Sequence, residues 1–150
     1  MRTISDILSS AQRRGVEKKL SYQGALLPGE AYELLQKAPG AKLVDVRTRA
    51  ELDYVGRIPN SVEIEWQTYP SGHPNETFLT EMQAQVDKEA LVMLICRSGV
   101  RSHSAAIAVA GAGYTQVYNV LEGFQGDKDN ERHRDSIGGW RVSGLPWYQG

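Results

Sequence analysis

The sequence predicts an α/β fold in which a small parallel β-sheet is flanked by α-helices on both faces. Short apolar stretches typical of buried strands alternate along the chain with segments whose apolar residues recur at helical spacing. Strands separated by helices pair in parallel through right-handed crossovers, and the helices then cover the sheet. The 150 residues are enough for one domain with a substantial hydrophobic core.

The chain up to residue 51 supplies three predicted helices and one predicted strand. Apolar residues at helical spacing in 4–11 predict a first helix that packs on the domain. The segment PGEAYELLQK (28–37) predicts a second helix, which a proline and a glycine end. The short, apolar segment KLVDV (42–46) is typical of a strand covered on both faces. Thr48 and Glu51 have the spacing of a capping box, so a third helix is expected to open at Thr48.

The second half continues the alternation of strands and helices. The segment SVEIEW (61–66) alternates apolar and polar residues and predicts a strand. Apolar residues within 78–86 mark the next helix, and LVMLI (91–95) predicts the most deeply buried strand. Small apolar residues predict a helix over 101–110 that two glycines end, and QVYNV (116–120) is the last predicted strand.

Composition excludes several classes of function. Lys and Arg number 17 against 18 Asp and Glu, so no basic surplus indicates binding to nucleic acid or an anionic membrane. The chain has one cysteine, which excludes an intrachain disulfide and a multi-cysteine metal site. Its histidines are scattered, no glycine-rich nucleotide loop is present, and no apolar run is long enough for a bilayer. We therefore expect a cytoplasmic protein with no cofactor and no metal.

The cysteine lies in the segment CRSGVRS (96–102), between the most apolar strand and a helix. Ligands of parallel sheets bind outside the carboxyl ends of the strands, where Cys96 is placed. Turn amides, the helix dipole, Arg97 and Arg101 favour the thiolate and would hold an anion above it, with Gly99 supplying backbone freedom. A lone intracellular cysteine is more often a small buried hydrophobe. The Arg, Ser, Gly and Arg around this one favour a nucleophile instead.

Four segments of the chain, in order and spacing, resemble the single-domain rhodanese family. They are LVDVRTRAE (43–51), GRIPNS (56–61), CRSGVRS (96–102) and NVLEGFQG (119–126), and the final GGW…GLPW is similar too. The resemblance implies a rhodanese-like domain over residues 25–150, preceded by an N-terminal helical extension over residues 1–24. It also implies a sulfurtransferase in which Cys96 takes a sulfane sulfur from an anionic donor such as thiosulfate and passes it to a thiol, a protein acceptor or cyanide.

The resemblance also assigns roles to individual residues. Cys96 matches the persulfide-forming cysteine, and the substrate-binding loop that follows comprises Arg97, Ser98, Gly99, Val100 and Arg101. Arg97 and Arg101 are the expected anion contacts. Loop support is expected from Asp45 and Arg47, which match the family's D-x-R pattern, and from Ser102. In GRIPNS, Arg57 and Asn60 replace a more common His and Gly, in a loop that is structural in the family.

Two other functions stay open at this point. The chain could be a sulfur carrier or regulatory binding module without turnover, or a phosphatase or arsenate reductase on a related scaffold. Phosphatases need a larger loop of backbone donors, usually with five residues between the cysteine and the arginine. Here four residues separate Cys96 from Arg101. Because there is no second cysteine, a persulfide on Cys96 requires an external acceptor. The charged segment 127–135 is either a solvated loop or a gate or docking site for that acceptor.

Overall fold

The computed structural model describes residues 3–149. Residues 1 and 2 of the predicted N-terminal extension and residue 150 of the predicted domain lie outside the described part. Within that part no helix is long and apolar enough to cross a membrane. In chain order the elements are α1 (Ile4–Glu17), β1 (Gly24–Leu26), α2 (Pro28–Lys37), β2 (Lys42–Asp45), α3 (Arg49–Tyr54), β3 (Val62–Glu63), α4 (Phe78–Gln85), β4 (Leu91–Ile95), α5 (Val100–Gly111) and β5 (Gln116–Val120).

The five strands form one sheet in the order β1-β5-β4-β2-β3, and every pair is parallel. The all-apolar strand β4 lies at the centre, and all five of its residues are buried. Its last residue, Ile95, pairs with Asp45, the last residue of β2. The carboxyl ends of the two strands therefore meet at one edge of the sheet, where the cysteine segment begins.

Helices cover both faces of the sheet, because side chains alternate between the faces along each strand. On one face the strands pack against α4 and α5, with a core that includes Val44, Val92, Leu94, Val117, Met82, Ala106 and Val109. On the other face they pack against α1 and α2, with a core that includes Leu43, Met93, Ile95, Tyr118, Ile7, Ala11 and Leu34. This arrangement confirms the predicted fold class.

Helix α1 is an integral part of the second core. Ile7 and Ala11 are fully buried in it, in agreement with the helical spacing of the apolar residues. At the end of the helix, Arg14 donates two hydrogen bonds to Glu30 of α2, at 2.7 and 3.0 Å. The helix therefore docks through both apolar packing and an ion pair.

Two strands differ from the sequence prediction. The strand predicted over 61–66 is paired only at Val62–Glu63, although Trp66 still donates to the carbonyl of Val46 at 3.1 Å. Strand β1 was not predicted, because three residues are too few to show a strand pattern. The capping box is confirmed, since the Thr48 hydroxyl accepts from the Glu51 amide at 3.2 Å.

Candidate active site

Cys96 occupies the first position after the central strand. The residue is 1% exposed, so its sulfur lies below the surface. Helix α5 begins four residues later at Val100, with Gly99 as its N-cap residue. Gly99 has φ 104°, a left-handed conformation that side chains disfavour, which explains the need for glycine at this point of the turn. The turn thus brings the sulfur to the N-terminus of a twelve-residue helix.

Two hydrogen-bond donors face the sulfur. The Gly99 amide donates to Cys96 Sγ at 3.1 Å, and the Ser102 hydroxyl lies 3.3 Å from the same atom. The Gly99 amide and the partial positive charge of the helix N-terminus stabilise negative charge on sulfur, and the Ser102 hydroxyl does so when its proton points to the sulfur. Cys96 therefore packs in the core between the sheet and α5, while polar donors face its sulfur.

Ser102 also contacts Asn119, a site residue that sequence reasoning missed. The Ser102 Oγ atom lies 2.5 Å from Asn119 Oδ1, and Asn119 Nδ2 donates to the Gly99 carbonyl at 3.2 Å. Because Ser102 has one hydroxyl proton, it can donate to the sulfur or to Asn119 but not to both. The signal in the sequence was a polar residue between the apolar residues Tyr118 and Val120 of β5, which the structure buries.

A second polar pair, Tyr22 and His103, lines a neighbouring pocket together with Asn119. Burial raises the pKa of Tyr22 to about 12, although a bond with Asn119 opposes this shift. The Tyr22 hydroxyl, protonated at neutral pH, lies 2.7 Å from His103 Nδ1. Tyr22 and His103 thus form a polar pair beside Asn119.

The carbonyl groups of the cysteine turn are held by the segment that follows β5. Phe124 donates its amide to the Cys96 carbonyl at 2.8 Å, and Gln125 and Gly126 donate to the Arg97 carbonyl at 2.9 and 3.1 Å. A Cβ atom on Gly123 would lie 2.5 Å from the Cys96 carbonyl oxygen. This close approach explains why a glycine occupies position 123 in the segment NVLEGFQG. The sequence did not predict the contacts between this segment and the cysteine turn.

Arg101 forms an ion pair that the sequence did not predict. Its guanidinium donates to both carboxylate oxygens of Glu51 on α3, at 2.7 and 2.9 Å. Burial alone would raise the pKa of Glu51, but the bonds and charge of Arg101, together with bonds from Thr48, lower it to about 2. Arg97, in contrast, forms no ion pair with any residue that the structure describes.

Asp45 and Arg47 form a fully buried salt bridge below the cysteine turn. The Arg47 Nη2 atom lies 2.7 Å from Asp45 Oδ2 and donates to the Gly56 carbonyl at 2.8 Å. The guanidinium also stacks 4.0 Å from the ring centroid of Phe124. These contacts tie the end of β2 to the loop before β3 and to the segment after β5, an arrangement suited to loop support.

A cleft of about 640 Å³ opens above the cysteine turn. Its floor is formed by Arg97, Ser98, Val100 and Arg101, and its walls by Thr48, Glu51, residues 67–70, Gly72, Asp127, Lys128 and Arg134. Tyr69 lines the cleft, whereas Trp66 packs edge-to-face against Phe78 at 5.0 Å in the core. Over residues 3–149 no group of three His, Cys, Asp or Glu side chains is placed to hold a metal ion.

The fold and the site define a class: a parallel α/β structure whose lone cysteine lies in the turn between the central strand and the N-terminus of a helix. The chain belongs to the rhodanese-like domain family, whose model matches residues 27–130. It is similar to the crystal structure of Rv0390 from M. tuberculosis, with a TM-score of 0.80 and 43% identity over 87% of this chain and 100% of that one.

Curated relatives are more distant. An uncharacterized protein of Rickettsia conorii is 34% identical over 124 residues, which cover 79% of this chain and 91% of that protein. The thiosulfate sulfurtransferase GlpE of Actinobacillus pleuropneumoniae serotype 3 is 28% identical over 125 residues, covering 79% of this chain and 87% of the relative. The comparisons thus support the sulfurtransferase family.

Proposed function

We propose that this protein is a sulfurtransferase that carries a sulfane sulfur as a persulfide on Cys96. The donor is thiosulfate or a related persulfide, and the acceptor is a thiol, or cyanide in an assay. The observation that carries the proposal is the convergence of the Gly99 amide, the Ser102 hydroxyl and the N-terminus of α5 on Cys96 Sγ. The likeness to relatives named as thiosulfate sulfurtransferases agrees with it.

In the first step the Cys96 thiolate attacks the outer sulfur of thiosulfate. The sulfur–sulfur bond of the donor breaks, sulfite leaves with the bonding electron pair, and Cys96 becomes a persulfide anion. Arg97, whose guanidinium faces the cleft without an ion-pair partner among residues 3–149, would orient the donor oxygens. The turn amides and the helix N-terminus would stabilise the charge that remains on the transferred sulfur.

In the second step an external thiol attacks the outer sulfur of the persulfide. The bond between that sulfur and Cys96 Sγ breaks, a new persulfide forms on the acceptor with the thiol proton, and the Cys96 thiolate is regenerated. With cyanide the product is thiocyanate. No internal thiol competes for the persulfide, because Cys96 is the only cysteine of the chain.

The ring around the sulfur favours sulfur transfer over phosphate hydrolysis. Both terminal nitrogens of Arg101 donate hydrogen bonds to Glu51, so they are not available to bind the oxygens of a phosphate. A phosphoryl group needs donors around all of its equatorial oxygens. We therefore expect no useful hydrolysis of aryl phosphates.

Steady-state formation of thiocyanate from thiosulfate and cyanide tests the proposal. The wild-type protein should turn over repeatedly, and Cys96→Ser should fold but form no thiocyanate above background. A single stoichiometric burst without further turnover would instead identify a sulfur carrier. Full activity of Cys96→Ser would overturn the role of the cysteine.

A further inference from the structure

The cleft above Cys96 contains cations that no acidic side chain neutralises. Among residues 3–149, most buried and half-buried arginines form ion pairs with carboxylates, and these are Arg14, Arg47, Arg57, Arg101 and Arg141. Arg97, Lys128 and Arg134 line the cleft and form no such pair with the described residues. The free acid on the same walls is Asp127, because Glu51 is bonded to Arg101. The cleft wall is therefore net positive.

One backbone bond and one side-chain bond connect Arg97 and Arg134 through Gly126. The Arg97 carbonyl accepts from the Gly126 amide at 3.1 Å, and the Gly126 carbonyl accepts from Arg134 Nη1 at 2.7 Å. Burial and the neighbouring charge of Arg134 lower the pKa of Arg97, as expected where two guanidinium groups lie in the same cleft. Like charges brought together in this way favour an anion between them.

Hydrogen bonds and an ion pair anchor the end of the segment that carries Arg134. The Asp135 amide donates to the Gln125 carbonyl at 2.8 Å, and the Asp135 carboxylate forms an ion pair with Arg141. The Arg141 side chain donates in turn to the Val55 carbonyl at 2.9 Å. Arg134 is therefore held by its own bond to Gly126 and by the contacts of its neighbour Asp135, as a preorganised binding residue would be.

The cleft is also large for an inorganic donor. Its volume of about 640 Å³ lies within the range of about 300–1,000 Å³ that is usual for organic ligands. A small anion such as thiosulfate fills only a fraction of that space. Lys128 and Arg134 belong to the cleft wall rather than to the turn around the sulfur, so they are placed to contact a more extended molecule.

We propose that Arg97, Lys128 and Arg134 form a subsite that binds the carboxylate of a small organic thiol, the acceptor of the sulfur. This inference rests on the proposed function. With its carboxylate bound on the wall, the acceptor directs its sulfur toward the persulfide on Cys96. The new sulfur–sulfur bond forms on the acceptor as the bond to Cys96 Sγ breaks, and the thiol proton moves to the transferred sulfur. The family model ends at residue 130, so Arg134 lies outside the matched region.

Discharge of the preloaded persulfide to N-acetylcysteine and to N-acetylcysteine amide tests the subsite. The two thiols are nearly the same size, and only the first has a carboxylate. Persulfide is loaded with thiosulfate, excess donor is removed, and the loss of the added sulfur is followed by mass spectrometry. The measured quantity is the rate constant of discharge to N-acetylcysteine divided by that to N-acetylcysteine amide. The two thiols differ in intrinsic reactivity by the same factor for every variant, so a change in this ratio reports on binding of the carboxylate.

We expect Arg134→Gln and Lys128→Gln each to lower this ratio by about fivefold, the scale of a partly exposed charge pair. Arg134→Lys should retain most of the ratio. Arg132→Gln removes the same charge from an exposed position outside the cleft lining and should leave the ratio unchanged. High salt should reduce the wild-type ratio toward that of Arg134→Gln, because exposed charges are screened.

The outcomes separate the two proposals. If wild type forms no persulfide, the proposed function fails and the subsite fails with it. If persulfide forms but the ratio is the same in wild type, Arg134→Gln and Lys128→Gln, the subsite alone is wrong. Slower loading by thiosulfate with an unchanged discharge ratio would assign these cations to the donor and would also overturn the inference.

Discussion

The guanidinium of Arg101 and the carboxylate of Glu51 share two hydrogen bonds, at 2.7 and 2.9 Å. The side chains are only 17% and 16% exposed, respectively. The pair connects α5, which begins at the cysteine turn, to the first turn of α3. Arg101 thus spans the cleft floor, and its position depends on a residue from a different part of the chain.

Loss of this pair should destabilise the protein and disturb the turn. We expect Glu51→Gln to lower the free energy of unfolding by about 1–2 kcal/mol, since a charge-assisted bond is lost while the amide still fits. The value of kcat/KM for thiosulfate should fall as well. Urea unfolding and steady-state kinetics measure the two effects. Glu33→Gln is the control, because its pair with Lys37 is long, at 3.6 Å, and exposed; it should cost less than about 0.5 kcal/mol.

The same pair predicts how stability depends on pH. The pKa of Glu51 is about 2 in the folded protein, below its ordinary value of 4.5. A lowered pKa means that the contribution of Glu51 is fully present above pH 4.5 and is lost as the pH falls toward 2. The stability difference between wild type and Glu51→Gln should therefore shrink over this interval. A difference that stays constant down to pH 2 would contradict the role of the pair.

Ser102 and Asn119 predict opposite effects on the reactivity of Cys96. Ser102→Ala removes a donor from the sulfur, so alkylation by iodoacetamide at neutral pH should slow by about fivefold, equivalent to one hydrogen bond. Asn119→Leu removes the competing acceptor, which leaves the Ser102 proton for the sulfur, and alkylation should become faster. Circular dichroism controls for folding. Changes in the same direction for both variants would refute the competition for one proton.

The close approach at Gly123 predicts a severe effect of a single methyl group. In Gly123→Ala the new Cβ atom would lie 2.5 Å from the Cys96 carbonyl oxygen, at a left-handed φ of 62°. We expect a loss of more than about 3 kcal/mol of stability together with loss of sulfur transfer. Gly144 has a similar φ of 76° but no neighbouring atom within 4 Å. Gly144→Ala should therefore lower the free energy of unfolding by only about 1 kcal/mol, the cost of a left-handed backbone conformation for alanine without any steric clash.

Local patterns in the sequence predicted the parts of the structure that depend on neighbouring residues. Cys96 and its turn were identified because an apolar strand, a glycine and a helix follow one another directly. The capping box from Thr48 to Glu51 was predicted for the same reason. The contacts of Glu51 with Arg101 and of Asn119 with Ser102 were not, since they join distant segments and depend on the packing of α3, α5 and the sheet.

The central claim is that Cys96 becomes a persulfide, and intact-protein mass spectrometry after incubation with thiosulfate tests it most directly. We predict one added sulfur atom per chain, located on the peptide that contains Cys96, removed by cyanide and absent from Cys96→Ser. An unchanged mass in wild-type protein that is folded and has a free thiol would contradict the account.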